Sequence, residues 1–405
     1  MPEAAHGMRP LTDLRPPEEA LQRILEACLP VRETEQGAVE DADGRVLAED
    51  LVAARDVPAF DRAAMDGYAL SSADAQTPGA RLRVAGRVHA GPAQGQRVHT
   101  GEALQIATGA PIPEGADAVV PVERTRMQDG AVVLERPVRA RENVSARGSD
   151  LREGQRVLSA GALLTPARIA VAAAMGRPRV SVWRRPKVAI LSTGSELRAA
   201  GEALRPGEVH DSNGPGLTAL FRSLGADVRT AQRVEDDIQT LSGALRSASR
   251  SCDLIVASGA SSAGQHDVLR DAVAAEGRIE FHGVRVKPGK PLLLGRIGST
   301  PLIGLPGYPT SCLSDAYLFV APAVRRLAHL PDEPPRRVTA RLAHRVESVP
   351  DRLWFVPVRV EGGLAYPTYK ESGATTSLSD AVGYVAIRPD VPFVDEGETV
   401  QVVLF

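Results

Sequence analysis

The sequence predicts a multidomain α/β plus β chain, with a mainly parallel α/β domain between a small N-terminal β domain and a C-terminal β barrel or sandwich. Three observations carry this. From Lys187 to Leu330 short apolar runs alternate with helical patterns, the order that builds a parallel sheet covered on both faces. From Val57 to about Glu135, and again from Glu333 onward, apolar residues come in short alternating runs split by Gly, Pro and Asp, which reads as β structure. At 405 residues the chain is long enough for two to four domains of roughly 100 to 200 residues each.

In chain order, the first 50 or so residues read as helical: Leu11, Leu14, Leu21, Ile24, Leu25 and Cys28 fall near helical spacing, and Pro16-Pro17 marks a break or first turn. RLRVAGRVHAG, EALQIATGAPIP, ADAVVPVE and GAVVLERPV follow as β segments. The TPARIAVAAAMG stretch predicts a short helix capped by Thr165, with Pro166 at its first position and Gly176 at its end. KVAIL is a strand ending in STGSEL, and SNGPGLTALFRSLG is a helix opened by Ser212 or Asn213 and stopped by Gly225. ADVRTAQRV, DDIQTLSGALRSAS, CDLIVASG and HDVLRDAVAAEG continue the strand and helix order. PLLLGRI and TPLIGLPG are strands, and TSCLSDAYLFVAPAVRRLAHL is the closing helix. After the proline-rich LPDEPPRR, the β segments are RVTARLAH, LWFVPVRVEG, VGYVAIRP and ETVQVVLF.

Composition excludes some functions. With 48 Lys plus Arg against 50 Asp plus Glu and only 4% aromatic residues, neither a broad nucleic-acid surface nor an aromatic stacking platform is expected. Small molecules and proteins are the expected partners. Cys28, Cys252 and Cys312 are odd in number and too widely spaced for a zinc site or a disulfide framework, which suits a reducing, cytoplasmic compartment. No run approaches the roughly 18 apolar residues of a membrane span, and the N-terminus lacks a basic flank before an apolar stretch.

In an open α/β sheet, ligands sit beyond the carboxyl ends of the strands. Four turns there are rich in Gly, Ser and Pro: Thr193-Gly194 within STGSEL, Ser258-Gly259 through Gly264, Lys287-Pro288-Gly289-Lys290, and Pro306-Gly307 through Ser311. Glycines let backbone approach an anion, and hydroxyls and exposed N–H groups donate to it. Any one such turn is ordinary turn chemistry; four at one edge describe a phosphate-binding rim. Only four of the 48 basic residues are Lys, at 187, 287, 290 and 370. Two of them three residues apart suggest a need for a compact ammonium rather than a guanidinium fork. No Walker A or GxGxxG pattern follows a strand, against nucleotide hydrolysis and dinucleotide redox chemistry.

Glu196, Asp236, Asp237 and Asp267 fall in the same half and could hold Mg2+ beside substrate phosphates. Asp236 and Asp237 read equally well as helix caps. In the β domain, Asp66 lies in a Met-Asp-Gly-Tyr turn and Thr108 in a Gly/Pro loop, both richer than a hairpin needs.

Taken together, FDRAAMDGYAL, ATGAPIPEGADAVVPVE, RGSDLREGQRVLSAG, KVAILSTGSEL, HDSNGPGL, SGASSAGQHD, VKPGKPLLLG and GLPGYPTSC resemble, in the same order, the molybdopterin molybdenumtransferase family (MoeA in bacteria, the gephyrin E domain in animals). The resemblance implies a molybdopterin-binding-like α/β domain at residues 184–330, a small β domain at 56–136 inserted in a linker domain at 1–55 and 137–183, and a C-terminal barrel at 331–405. It implies a Mg2+-assisted reaction in which adenylylated molybdopterin and molybdate give AMP and molybdenum-molybdopterin. It also implies a homodimer whose cleft forms between subunits, with the molybdopterin adenylyltransferase and molybdoenzyme acceptors as physical partners. Carried over by motif, Asp66 and Thr108 face the other subunit's cleft, while Glu196, Asp236 or Asp237, and Asp267 handle cation and substrate. Lys287, Lys290 and Ser311 neutralise oxyanion charge.

The chain departs from the family pattern at Ala260, Ala263, Tyr308 and Val382, the last in place of an Asn near Ser377. Two other readings are a scaffold paralogue with reduced or altered activity and an adenylyltransferase of the same pathway. Intact acidic and Lys positions count against the first, because a scaffold has no need of charge around a cleft. The β domains at both ends count against the second.

Overall fold

The computed structural model describes residues 11, 13–92, 95–259 and 268–405. The chain divides into two compact units, residues 36–43 with 47–180, and the remainder.

The first unit holds a six-stranded mixed sheet. Its spatial order is Ala118–Pro121, Gly67–Leu70, Glu102–Ile106, Arg81–Val88, Ala131–Leu134, Thr125–Gln128. Tyr68, Leu70, Leu82 and Val132 pack on one face, and Ala69, Leu104, Ile106 and Val119 on the other. Gly67–Leu70 is too short, and Thr125–Gln128 too short and polar, to stand out as strands in the sequence. The helix Pro166–Ala174 forms as expected: Thr165 accepts from the Arg168 N–H, and Gly176 follows with φ +76°.

In the second unit a six-stranded sheet runs Asp227–Val234, Lys187–Thr193, Leu254–Ser258, Thr300–Leu305, Leu293–Ile297, Gly277–His282. The first four strands are parallel and the last two antiparallel. Alternate residues of the apolar runs go to opposite faces. Val188, Ile190, Leu254, Val256 and Ile303 join Ile24, Leu217, Phe221 and Phe319, while Ala189, Leu191, Ile255, Ala257 and Leu302 join Leu241, Leu245 and Leu269. Helices therefore cover both sides.

Two expectations need correction. The N-terminal helix is confined to Pro17–Ala27, after which Thr34–Ala38 is a strand; Pro30, Gly37 and Gly44 interrupt any longer helix. The closing helix is not uniform either: Pro309–Asp315 and Ala321–Leu327 are joined by one π-helical turn, Ala316–Val320.

The C-terminal β segment is a barrel. Leu353–Glu361 pairs with Leu364–Pro367, which pairs with Arg337–Leu342, then Thr399–Leu404, then Gly383–Ile387, which returns to Leu353–Glu361. Five strands close, around Leu342, Val356, Val358, Ala365 and Val402. A sixth piece, Val286–Lys287, adds in parallel to the start of Leu353–Glu361. Stacking of Tyr317 on Phe405, centroids 4.1 Å apart, docks the barrel on the π-helical turn.

Candidate functional site

Strand register gathers the four turns. Ser192 pairs with Ser258, Ser258 with Leu305, and Leu293 with Gly304. The turns after Thr193, Ser258 and Leu305 thus leave one sheet edge. The Lys287–Lys290 turn reaches that edge because the strand it feeds runs the opposite way.

The backbones pack closely there. At Gly259, φ is +114°, and a Cβ would lie 1.9 Å from the Thr193 carbonyl oxygen; only glycine fits. Asn213, buried at a helix start, donates through Nδ2 to Ser258 Oγ and to the Gly307 carbonyl, both at 2.8 Å. It ties two of the turns together. The cap expected of Ser212 or Asn213 is instead supplied by Asp211, whose Oδ1 accepts from the Gly214 N–H at 2.9 Å. Sequence reading missed Asn213 as a site residue, although HDSNGPGL displayed it.

Lys287 and Lys290 are half-buried. Among the described residues neither ammonium forms an ion pair, whereas Arg23, Arg184 and Arg296, for example, each do. Two half-buried lysines with no carboxylate partner among the described residues create a positive potential that favours an anion. Between them, Gly289 has φ +114°, and a Cβ would lie 1.9 Å from Asp315 Oδ1. Asp315 is fully buried, with no hydrogen bond to either oxygen among the described residues, and burial pushes its carboxyl well above the usual range. Asp315 therefore packs against the turn that carries the lysines, with burial favouring its protonated form. Nothing in the sequence distinguished Asp315 from an exposed helix residue.

The acidic positions separate. Asp236 is raised, first by burial and then by the negative charge of Glu196. Asp237 caps the helix Ile238–Ser249, accepting from the Gln239 and Thr240 N–H groups; the Thr240 side chain, then the Gln239 N–H, hold its carboxyl below the usual range. That is the capping role the sequence also allowed. Gly264 and Asp267, with the departures Ala260 and Ala263, lie outside the described residues. Ser311 is buried in the first turn of Pro309–Asp315. Burial pushes the Cys312 thiol, 3.4 Å from Ser258 Oγ, up to about 12, which makes it inert as a nucleophile near neutral pH.

In the other unit, the Thr108 N–H donates to Asp66 Oδ1 at 2.7 Å, so the two loop residues singled out there do meet. Of the departures among the described residues, Tyr308 is 67% and Val382 44% exposed. Ser377 is fully buried and accepts from the Lys370 N–H.

Comparison with known proteins agrees with this architecture. Residues 15–176 match the MoeA N-terminal region (domain I and II), 189–326 a probable molybdopterin binding domain, and 339–405 the MoeA C-terminal region (domain IV). A molybdopterin molybdenumtransferase of Staphylococcus aureus (strain COL) is 31% identical over 401 residues, covering 96% of this chain and 95% of its own. Molybdopterin molybdenumtransferase 2 of Mycobacterium tuberculosis (strain ATCC 25618 / H37Rv) is 35% identical over 326 residues, 78% of this chain and 79% of its own. The crystal structure of the molybdopterin biosynthesis MoeA protein of Pyrococcus horikoshii OT3 superposes with a TM-score of 0.82 at 31% identity, over 97% of this chain and all of that one. The chain belongs to the molybdopterin molybdenumtransferase family.

Proposed function

We propose that this transferase of molybdenum cofactor biosynthesis binds molybdate and adenylylated molybdopterin at the rim, releasing AMP and leaving molybdenum on the pterin dithiolene. The observation that carries the reading is the Lys287–Lys290 turn: two half-buried ammonium groups with no ion pair among the described residues, at the edge where three strand-end turns also meet. Molybdate and phosphate oxygens would meet Lys287, Lys290 and the Ser311 hydroxyl. Thr193, Gly194, Ser258, Gly259, Pro288, Gly289, Pro306 and Gly307 supply the close backbone, and Gly264, outside the described residues, is a further candidate for the same role.

Glu196 and Asp236 suit a Mg2+ ion, since Mg2+ is commonly held by one or two carboxylates plus substrate phosphates and would offset both the burial and the Glu196 charge that raise Asp236. Asp267 is a third candidate, and Asp237 is favoured less because its oxygens already cap a helix. When bound, the ion would offset charge developing on the pyrophosphate. The lysines act on the same charge from fixed positions, which is where preorganised cations are most effective.

A homodimer in which Asp66 and Thr108 of one protomer serve the cleft of its partner completes the proposal. No described helix is long and apolar enough to cross a membrane. The three cysteines are free and buried, which supports a cytoplasmic setting.

The test is to incubate purified protein with adenylylated molybdopterin, molybdate and Mg2+ and to follow AMP. Release that depends on molybdate and is lost in Lys287→Ala supports the reading. No AMP above background rejects it.

A further inference from the structure

The lysine turn touches the barrel through one aromatic side chain. Lys287 pairs with Trp354 in the short parallel ladder, and its Nζ stands 4.4 Å from the centroid of the Trp354 ring. Tyr369 meets Trp354 edge-on, with centroids 6.1 Å apart and planes at 89°. The Tyr369 hydroxyl lies 3.3 Å from Ser372 Oγ, and the Ser372 carbonyl accepts the Thr310 N–H. One line of contacts therefore runs from Lys287 to the helix that opens at the GLPGYP turn. The Trp354 indole N–H is buried and has no hydrogen-bond partner among the described residues, so the ring is held by packing and by the cation rather than by a polar tether.

A half-buried ammonium needs compensation. A carboxylate would provide it and would also cancel the charge that an oxyanion uses. An indole face instead offers a negative quadrupole with no net charge. It stabilises the ammonium, restricts a side chain that otherwise has many rotamers, and leaves the full positive charge available.

We propose that Trp354 is a positioning residue for the oxyanion substrate, holding the Lys287 ammonium at the rim from the barrel side. The inference rests on Lys287 being an anion ligand, and the experiment separates the two. Sodium molybdate is titrated calorimetrically into the full-length protein and into Trp354→Leu, Trp354→Phe, Lys287→Met and the Trp354→Leu/Lys287→Met double variant; molybdate KM and kcat for AMP release are measured in parallel.

Trp354→Leu should raise the molybdate Kd and KM about fivefold, the size of an ordinary cation–π contact, with kcat within about twofold. Trp354→Phe should regain most of that loss. In the Lys287→Met background Trp354→Leu should add nothing. If Trp354→Leu binds normally while Lys287→Met weakens binding, this proposal falls and the anion reading stands; if both bind normally, both fall. Should Trp354→Leu fail to fold, Trp183→Phe leaves Trp354 as the single emitter, since the chain has two tryptophans. Emission that is unmoved both by molybdate and by Lys287→Met would then overturn the proposal.

Discussion

The Asp66 carboxylate accepts the backbone N–H of Thr108 at 2.7 Å, fastening together two exposed loops 42 residues apart. Asp66→Ala removes the fastening, whereas Asp66→Asn keeps an acceptor. AMP release should fall about tenfold or more in Asp66→Ala, the equivalent of one charge-assisted hydrogen bond, and less in Asp66→Asn. Because both loops face water, the thermal midpoint should move by no more than about 2 °C. A large drop in midpoint with unchanged turnover would make the contact merely structural.

Asn213 bridges Ser258 Oγ and the Gly307 carbonyl from inside the protein. Asn213→Leu leaves both without this donor and should cost about 1–3 kcal/mol in urea unfolding. Asn213→Asp should cost at least as much, because an ionised carboxylate has no N–H to give. Equal stability of the unmodified protein and Asn213→Asp would contradict this account.

Asp315 titrates above the ordinary carboxyl range because it is buried. In the unfolded chain the group loses its proton near pH 4. Between that value and the folded one, unfolding releases a proton, so stability is full below the window and declines as pH rises through it. Asp315→Asn has no proton to lose. It should melt about 3 °C or more above the unmodified protein at pH 8, and the gap should close toward pH 4. A gap independent of pH would show that Asp315 is charged in the folded protein.

Lys290→Arg keeps the charge but replaces a compact ammonium with a planar fork in a half-buried turn. AMP release should drop about tenfold or more, the energy of one misplaced charge-assisted contact, with unfolding unchanged. Full turnover would show that any cation suffices at this position.

Much of this was readable from the sequence, because alternation and turn chemistry are local. KVAIL and CDLIVA announced buried strands, Thr165 and Gly176 bounded their helix, and the turns at the rim were visible as Gly, Ser and Lys clusters. The rest depended on partners distant in the chain. Asp315 looks like any helix residue until Gly289 is placed against it, and Trp354 like any barrel residue until Lys287 arrives above its ring. The N-terminal helix was overextended because apolar spacing alone cannot see where Pro30 and Gly37 turn the backbone into Thr34–Ala38. The antiparallel Gly277–His282 edge was missed because its burial pattern is too mixed to mark a strand.

The two-residue ladder between Val286–Lys287 and Leu353–Trp354 stitches the segment leading into the lysine turn to the barrel wall. Such a shared seam couples their survival: the turn has no independent melting, and amide exchange at Lys287 should slow and quicken with that of Val356 in the barrel core. Trimming away the last domain would accordingly take from the cationic hook the wall it leans on.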